Sequence, residues 1–387
     1  MLNNNCILVA GCFGYIGNAL VQRLLFEGYK VIGIDNNIRD KAVKEQNSYS
    51  ATKQLTLNER ESFFKKIGQF IFYDFDISRS YSPLKGIISY YKPFTIVNLA
   101  HQPSGPYSQI DVRHADYSLI NNIRGTNNFL WAIKEIDPDI HYTTIGSTGE
   151  FSHYSNVPIQ EGYFKIESEG RQSNEMIYPR SPTSLYHASK VSSMYITEYL
   201  TRLWNLKTTE AEQSIVFGIF TKETDQTKIY SRLDVDGCFG TVLNKFIIQA
   251  LLELPLTIFG EGEHQRGFLA LQNSVDAIML SIENPPENGR LRMFNQLSET
   301  WSMNQLAEKV KNTAKKLKNI NIQFNHIPSP RKEYTGQHYY KYISEILPSL
   351  GYKPSRTVEQ EIEYIFNIID LDYIQGLKDI IIKNINF

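Results

Sequence analysis

A tyrosine and a lysine four residues apart, Tyr186 and Lys190, are the residues of this chain best suited to proton transfer. On a helix this spacing places both side chains on one face, and an ammonium group beside a phenol favours the phenolate. Tyr186 is therefore a candidate general base. Any long helix contains such pairs, so a surface or packing role is the alternative for the pattern taken alone.

A polar segment at 146–150, Gly-Ser-Thr-Gly-Glu, follows an apolar run at 140–145. If that run is a strand of a doubly wound sheet, Ser147 lies at its carboxyl end, where such sheets bind their ligands. The Ser147 hydroxyl can then hold a substrate oxygen together with Tyr186. A turn or helix cap is the alternative role for this serine.

A glycine-rich segment lies near the start of the chain, between an apolar run at 6–10 and an amphipathic segment at 16–27 that precedes a second apolar run at 31–34. This order predicts strand, turn, helix and strand. Glycines three residues apart permit a tight turn, the approach of a pyrophosphate to the backbone, and close packing of helix on strand. The segment predicts dinucleotide contacts from Gly11, Phe13, Gly14, Tyr15, Ile16 and Gly17.

Asp35 ends the second apolar run and can accept hydrogen bonds from an adenosine ribose. Its charge repels a 2′-phosphate, so the sequence favours NAD over NADP. The nearby Arg39 weakens this preference unless it is a solvated loop charge. Further cofactor contacts are predicted where later strands end and in the helix after them: Asn36, Asp76, Ile77, Leu99, Ala100, His101 and Asn122.

Strand-like runs alternate with helical segments through the first half of the chain, which predicts an α/β fold with a Rossmann-type doubly wound parallel sheet. Residues 1–215 are interpreted as the NAD-binding domain, including a catalytic helix that starts near 181–183. Residues 216–387 are interpreted mostly as a smaller α/β lid that binds substrate, with some segments returning to the sheet. A polar loop with one helix is predicted at 36–68, and one amphipathic helix at 372–387.

Composition narrows the class of partner. The 387 residues carry a formal net charge of -1 with both signs interspersed, which predicts no binding of nucleic acid or of anionic membranes. The three cysteines are too scattered for a disulfide framework or a metal site. With no targeting or membrane-spanning pattern, we expect a cytoplasmic protein with a small-molecule partner and no metal.

The glycine-rich segment, Asp35, Asn-Ile-Arg-Gly-Thr at 122–126, Ser147 and Tyr-His-Ala-Ser-Lys at 186–190, in this order, resemble the extended short-chain dehydrogenases/reductases that modify nucleotide sugars. The resemblance covers about residues 6–355 and is strongest to the UDP-sulfoquinovose synthases. It rests on segments 100–108, 178–179, 186–187, 232–234, 239–244, 266–268, 294–296, 329–331 and 338–340.

This resemblance implies a hydride shuttle. Tyr186, aided by Lys190, would take the proton of a hexose 4-hydroxyl while hydride leaves C4 for NAD. The ketone acidifies C5, the 6-hydroxyl is eliminated, sulfite adds at C6, and the hydride returns to C4. The resemblance implies that Thr148, Glu150 and His187 act near C5 and C6, and that a UDP-hexose is held by Gln102, Tyr107, Arg232, Asn244, Arg266 and His338. Relatives of this kind commonly form homodimers.

Two departures from the resemblance leave alternatives open. Pro103 stands where the synthases are expected to have an arginine, and Glu212 stands where an asparagine is expected near the pyrophosphate. A UDP-sugar 4-epimerase or a 5,6- or 4,6-dehydratase is therefore a second hypothesis, although Thr148-Gly149 replaces the Asp-Glu pair of ordinary 4,6-dehydratases. A non-catalytic NAD-binding regulator is a third hypothesis, and the joint presence of Ser147, Tyr186 and Lys190 disfavours it.

Overall fold

A computed structural model describes residues 5–151, 157–328 and 341–385. Strands and helices alternate through the first half, as predicted. The strands are β1 (Cys6–Ala10), β2 (Lys30–Asp35), β3 (Phe70–Asp74), β4 (Thr95–Asn98), β5 (His141–Ser147), β6 (Tyr163–Phe164), β7 (Glu167–Ser168), β8 (Arg171–Gln172), β9 (Met176–Ile177), β10 (Lys207–Gln213), β11 (Ile215–Phe217), β12 (Leu256–Phe259), β13 (Gln265–Ala270), β14 (Leu291–Gln296), β15 (Glu299–Ser302) and β16 (Phe324–Ile327).

The helices follow the same chain order. They are α1 (Tyr15–Phe26), α2 (Ile38–Glu45), α3 (Leu57–Ile67), α4 (Tyr81–Tyr91), α5 (Val112–Leu119), α6 (Gly125–Ile136), α7 (Leu185–Trp204), α8 (Lys222–Thr227), α9 (Val242–Leu251), α10 (Leu271–Glu283), α11 (Met303–Lys318), α12 (Ile346–Ser349), α13 (Val358–Ile368), α14 (Leu371–Gly376) and α15 (Lys378–Ile385). A π-helical turn, Ile120–Arg124, joins α5 to α6.

Seven of the described strands form one parallel sheet in the order β3-β2-β1-β4-β5-β10-β14. The central strand β1 is apolar on both faces because helices cover both sides of the sheet. In β1, Ile7 and Val9 pack into the core that holds residues of α1 and α10, whereas Leu8 and Ala10 pack into the core that holds residues of α4 and α6. The Rossmann-type doubly wound prediction is confirmed.

The second half of the chain builds a smaller layer over the edge of the sheet where its strands end. A three-stranded sheet, β11-β13-β15, and a pair, β12-β16, pack with α9, α11 and α13 around a separate apolar core. One segment returns, since β14 pairs with β10 at the end of the main sheet. The division at residue 215 stays a prediction.

Three local predictions differ from the structure. The segment 36–68 holds two helices, α2 and α3, and Thr56 and Glu59 form a reciprocal capping box at the start of α3. The C-terminal segment forms α14 and α15, which are separate short helices. The catalytic helix α7 begins at Leu185, after 181–183, because the Ser184 side chain accepts a hydrogen bond from the His187 amide and so caps it.

Among the described residues, no helix combines the length and the apolar character needed to cross a bilayer.

Candidate active site

A cavity of about 1150 Å³ lies where β1, β2, β4 and β5 end, between the main sheet and the smaller layer. The glycine-rich turn and Asp35 line one part of its wall, and Ser147, Tyr186 and Lys190 line another. Segments of the second half, including 257–266, line the rest. The carboxyl edge of a doubly wound sheet is where ligands bind, so the cavity is the candidate active site.

The turn after β1 requires its glycines. Gly11 has a φ of +76°, and a Cβ there would lie 2.7 Å from the Leu99 carbonyl group. A Cβ at Gly17 would lie 2.0 Å from the Gly11 carbonyl oxygen. The turn therefore stays closely packed on its strand and helix, leaving the amino end of α1 beside the cavity, where its amides can face an anion.

Asp35 stands at the end of β2 and lines the cavity. One carboxylate oxygen accepts a hydrogen bond from the Phe13 amide at 2.9 Å and the other accepts one from the Asn37 amide at 2.8 Å. These donors fix the carboxylate, and its remaining lone pairs suit a ribose diol. The residues present therefore fit the adenosine side of NAD.

Arg39 also lines the cavity, but its charge is already compensated. Its Nε and Nη2 donate to Asp234 at 3.0 and 2.8 Å, and its guanidinium lies 3.9 Å from the centre of the Phe239 ring. A guanidinium engaged in this way offers little to a 2′-phosphate. The contacts agree with the preference for NAD.

Most of the predicted cofactor residues line the cavity: Gly11, Gly14, Tyr15, Ile16, Gly17, Asp35, Asn36, Arg39, Ile77, Leu99, Ala100, His101, Tyr186 and Lys190. Three lie behind its wall. Phe13 packs among Phe64, Phe70 and Phe72.

The other two side chains behind the wall are held by local hydrogen bonds. The Asp76 carboxylate accepts from the Ser78 amide and hydroxyl. Asn122 bonds to the backbone of Gln102 and to Ser189, so it joins the loop after β4 to α7. Their polar groups therefore position neighbouring segments and do not face the cavity.

Ser147, Thr148, Tyr186, His187 and Lys190 lie together on the cavity wall, where the end of β5 meets the first turns of α7. Burial raises the pKa of the Tyr186 phenol and the Glu150 carboxyl raises it further, while a hydrogen bond from Ser147 lowers it. The expectation that Lys190 makes Tyr186 anionic is thus opposed by desolvation and by nearby acidic groups.

The Lys190 ammonium donates to the Ile145 carbonyl and to Nδ1 of His101. His101 must be neutral to accept this bond, and burial, followed by the charge of Lys190, lowers its pKa well below the usual value. The Nε2 of His101 lies 3.2 Å from the Thr126 hydroxyl. His101 therefore helps to hold the lysine in place.

His187 is placed against the polar segment that follows β5. Its Nδ1 lies 2.9 Å from the Ser184 hydroxyl, and its ring centre lies 4.8 Å from that of Tyr186. A Cβ at Gly149 would lie 2.1 Å from His187 Nε2, so only glycine leaves room for the imidazole. The segment Thr148-Gly149 thus admits a histidine beside the candidate base.

Glu150 does not reach the cavity, contrary to the expectation that it acts near C5 and C6. It is fully buried; one carboxylate oxygen accepts from the Ser147 amide at 2.9 Å, and the other lies 3.5 Å from Arg180 Nε. Its position follows from the 3₁₀ turn Thr148–Phe151, which directs the side chain back toward the sheet.

Among the predicted substrate residues, Gln102, Tyr107 and Arg266 line the cavity. The Gln102 amide donates to Ser104 and Ser118, and the Tyr107 hydroxyl donates to Glu45, so both side chains already make intramolecular contacts. His338 lies outside the described residues.

Arg232 and Asn244 are buried behind the wall, which corrects the prediction that they face a pyrophosphate. Arg232 pairs with Asp234 and Asp40, and the Asn244 carbonyl accepts from the Gly218 amide. Both side chains hold segments of the protein together.

Sequence reasoning missed Arg180 and Glu210. Glu212, which was expected near a pyrophosphate, instead accepts a hydrogen bond from Arg180 at 3.0 Å, and both side chains are about 1% exposed. Glu210 and Glu212 alternate along β10 and so share one face of the strand. This Glu-x-Glu spacing in a strand was the available signal.

Comparison with known proteins agrees with this geometry. The model of the NAD dependent epimerase/dehydratase family matches residues 7–295. The chain is 36% identical over 359 residues to a UDP-sulfoquinovose synthase of Sulfolobus acidocaldarius, covering 92% of this chain and 90% of that protein. It is 32% identical over 363 residues to a chloroplastic UDP-sulfoquinovose synthase of Spinacia oleracea, covering 93% of this chain and 74% of that protein.

Among solved structures, a UDP-glucose 4-epimerase of Thermotoga maritima with UDP-glucose has a TM-score of 0.67 at 21% identity and covers 96% of this chain and 99% of that one. That likeness supports the fold. The family match supports an enzyme that uses NAD. The chain belongs to the NAD dependent epimerase/dehydratase family.

Proposed function

We propose that this enzyme converts a UDP-hexose and sulfite into a nucleotide sugar sulfonated at C6, as a UDP-sulfoquinovose synthase does. The observation that carries the proposal is the meeting of Ser147, Thr148, Tyr186, His187 and Lys190 at one wall of the cavity, in a chain 36% identical to such a synthase over nearly its whole length.

NAD, when bound, supplies a reversible hydride acceptor for sugar C4. The Tyr186 phenol is the proposed base for the 4-hydroxyl proton, because it lines the cavity and is hydrogen-bonded by Ser147. Ser147 is proposed to hold the same sugar oxygen. Lys190, fixed by the Ile145 carbonyl and His101, is proposed to hold the cofactor ribose and to place a positive charge near the phenol.

Thr148 and His187 are the proposed groups at C5 and C6. Both line the cavity beside Tyr186, and imidazole is the side chain that most often serves as general acid or base. Arg266 is proposed to bind the pyrophosphate, since it lines the cavity on the side formed by the second half of the chain and a guanidinium binds phosphate through two donors.

Pro103 favours a second candidate. It lines the cavity where the resemblance implies an arginine, and without that cation an anionic sulfur donor loses a partner. A UDP-sugar 4-epimerase or a 5,6-dehydratase needs no such donor.

The deciding experiment incubates the protein with NAD and a panel of nucleotide hexoses, with and without sulfite, and determines product masses. A sulfonated product that requires sulfite supports the synthase proposal. Loss of water without dependence on sulfite supports the dehydratase, and an isomer of unchanged mass supports the epimerase. No turnover of any nucleotide hexose would contradict all three.

We also propose a homodimer that packs through α6 and α7. Large apolar side chains are exposed on these helices: Trp131 at 40%, Tyr195 at 45%, Tyr199 at 52% and Leu203 at 54%. Sedimentation of the protein and of Tyr199→Glu tests this surface. The cytoplasm is the proposed compartment because Cys6, Cys12 and Cys238 are free thiols.

A further inference from the structure

Three glutamates from two neighbouring strands and the turn after one of them meet in the interior behind Tyr186. Glu210 and Glu212 lie on β10, and Glu150 lies in the turn that follows β5. One oxygen of each carboxyl lies within 4.8 Å of the others, and all three residues are at most 2% exposed. We call these residues the carboxyl cluster.

Gly146 of β5 creates the space for this cluster. It is the register partner of Glu212 in the parallel pairing of β5 with β10. A Cβ at position 146 would lie 2.3 Å from a Glu212 oxygen and 2.9 Å from a Glu210 oxygen. The two carboxyls therefore occupy the volume that a side chain on β5 would fill, directly before Ser147.

The hydrogen-bond donors around the cluster are too few. Glu150 accepts from the Ser147 amide and Glu212 accepts from Arg180. One oxygen of each carboxyl, the Oε2 of Glu150, Glu210 and Glu212, is buried with no hydrogen-bond partner among the described residues. Three adjacent acceptors without donors are costly, and a proton on one of them makes it a donor to another.

The charges around the cluster also favour one retained proton. Two cations face the cluster: Arg180 precedes α7, and Lys190 lies on α7. Three carboxylates and two cations would leave a net negative charge in a buried site, whereas one retained proton makes the sum zero. The other titratable groups nearby are Tyr142, Tyr186 and His101, and His101 is neutral.

We propose that the carboxyl cluster shares one retained proton, held mainly on Glu210, and that Glu210 is thereby a positioning residue that sets the charge experienced by Tyr186 and Lys190. Glu210 is the assigned site because Glu150 and Glu212 each accept a bond from a donor. Burial raises the pKa of all three carboxyls, that of Glu150 well above its usual value and that of Glu210 to about 8, which agrees with a proton retained within the cluster. The donors to Glu150 and Glu212 are what assign it to Glu210.

The consequence for the base follows from the sign of the charge. While the proton is retained, the cluster and its two cations are neutral, and Tyr186 ionises without a net negative neighbour. When the proton leaves to solvent at higher pH, the remaining charge opposes the phenolate. This catalytic meaning rests on the proposed function, whereas the retained proton does not.

Infrared spectroscopy of protein labelled with ¹³C-carboxyl glutamate tests the proton directly, without NAD or sugar. In the wild type near neutral pH we expect a protonated-carboxyl band that shifts with the label and disappears near pH 8. Glu210→Gln should lack this band, because the two remaining carboxylates balance Arg180 and Lys190. Glu210→Asp should restore it, and Glu198→Gln, on the surface of α7, should leave it unchanged.

A second measurement follows the Tyr186 phenol by ultraviolet difference between each protein and its Tyr186→Phe counterpart. Glu210→Gln should lower the apparent pKa of Tyr186 by about 1 unit, the effect of one charge at roughly 10 Å with an effective dielectric constant near 20. Glu198→Gln should not shift it. The absence of the band in wild type, its persistence in Glu210→Gln, or an unshifted phenol would overturn the proposal. If both measurements succeed and no nucleotide hexose is turned over, the proposed function fails and the cluster stands.

Discussion

The glycine-rich turn and the carboxyl cluster differ in how their buried carboxyl groups are stabilised. Where the sheet meets the glycine-rich turn, each carboxylate oxygen of Asp35 accepts a hydrogen bond from a backbone amide. The donors are Phe13 in the turn and Asn37 just after β2. In the carboxyl cluster, each of three glutamates has one buried oxygen without a donor. The Asp35 carboxylate can therefore stay charged, whereas the carboxyl cluster has to retain a proton.

The difference lies in where the donors come from. A turn on a strand exposes amides in a geometry fixed by glycine, so its binding capacity is local. The cluster depends on Arg180 and Lys190, which reach it from outside its two strands. A change at the turn should therefore alter cofactor affinity, whereas a change at the cluster should alter stability and ionisation.

The largest expected effect is a loss of turnover from a change at the cavity wall, in front of the carboxyl cluster. Tyr186→Phe removes the proposed base and should lower turnover about 10²- to 10⁴-fold, the usual contribution of general acid and base catalysis. NAD binding should change little, because the lost hydroxyl lies at the catalytic wall. Steady-state kinetics and NAD titration measure the two quantities. Tyr90→Phe, at an exposed position of α4 outside the cavity wall and the proposed dimer surface, is the control. Equal turnover of both variants would remove Tyr186 from the mechanism.

Removing Arg180, one of the two cations that face the cluster, should destabilise the protein strongly. Arg180→Met leaves Glu212 and Glu150 without their guanidinium, and breaking a buried ion pair on one side costs about 3–5 kcal/mol of unfolding free energy. Denaturant unfolding measures this cost. Arg202→Met is the matched control, since Arg202 pairs with Glu198 on the surface of α7, and its loss should leave the unfolding free energy nearly unchanged because solvent screens an exposed ion pair. Similar losses from both variants would show that Arg180 does not compensate the buried carboxylates.

Gly17→Ala should damage the cofactor turn and leave the cluster intact. The new Cβ would lie 2.0 Å from the Gly11 carbonyl oxygen, so the turn must shift. We expect NAD affinity to fall about 10- to 100-fold, because overpacking typically costs 1–3 kcal/mol. Gly86→Ala is the control: a Cβ at this exposed position of α4 meets nothing within 4 Å. Calorimetric titration with NAD decides, and unchanged affinity in Gly17→Ala would contradict the role of the turn.

Measured per pH unit, the smallest effect is the pH dependence of stability. Glu210 has a pKa of about 8 in the folded protein, above its ordinary value of 4.5. The folded state therefore binds more protons between these values, and wild-type stability should decline as pH rises from about 4.5 to 8, by at most about 1.4 kcal/mol per pH unit. Glu210→Gln should show a shallower decline across this window. Identical slopes for the two proteins would show that Glu210 is not protonated in the folded state.

Local sequence patterns predicted much of the fold and the part of the cavity wall formed by the glycine-rich turn. The apolar runs at 6–10 and 31–34 lie within β1 and β2, and the residues of the glycine-rich turn other than Cys12 and Phe13 line the cavity. Ser147, Tyr186 and Lys190 were placed at one wall because strand ends and helix faces follow from spacing. Arg232 and Asn244 were misplaced, since a side chain that can bind phosphate can equally pair with Asp234 or bond to a backbone amide.

The order of strands and helices, the glycine turn and the face shared by Tyr186 and Lys190 depend on neighbours within a few residues, so they can be predicted from local patterns. The ionisation of the site depends on contacts between distant segments. The pairing of β5 with β10 placed Glu212 over Gly146 and brought Glu210 and Glu150 together with Arg180. Burial and charge depend on which distant residues become neighbours, and no local spacing contains that information.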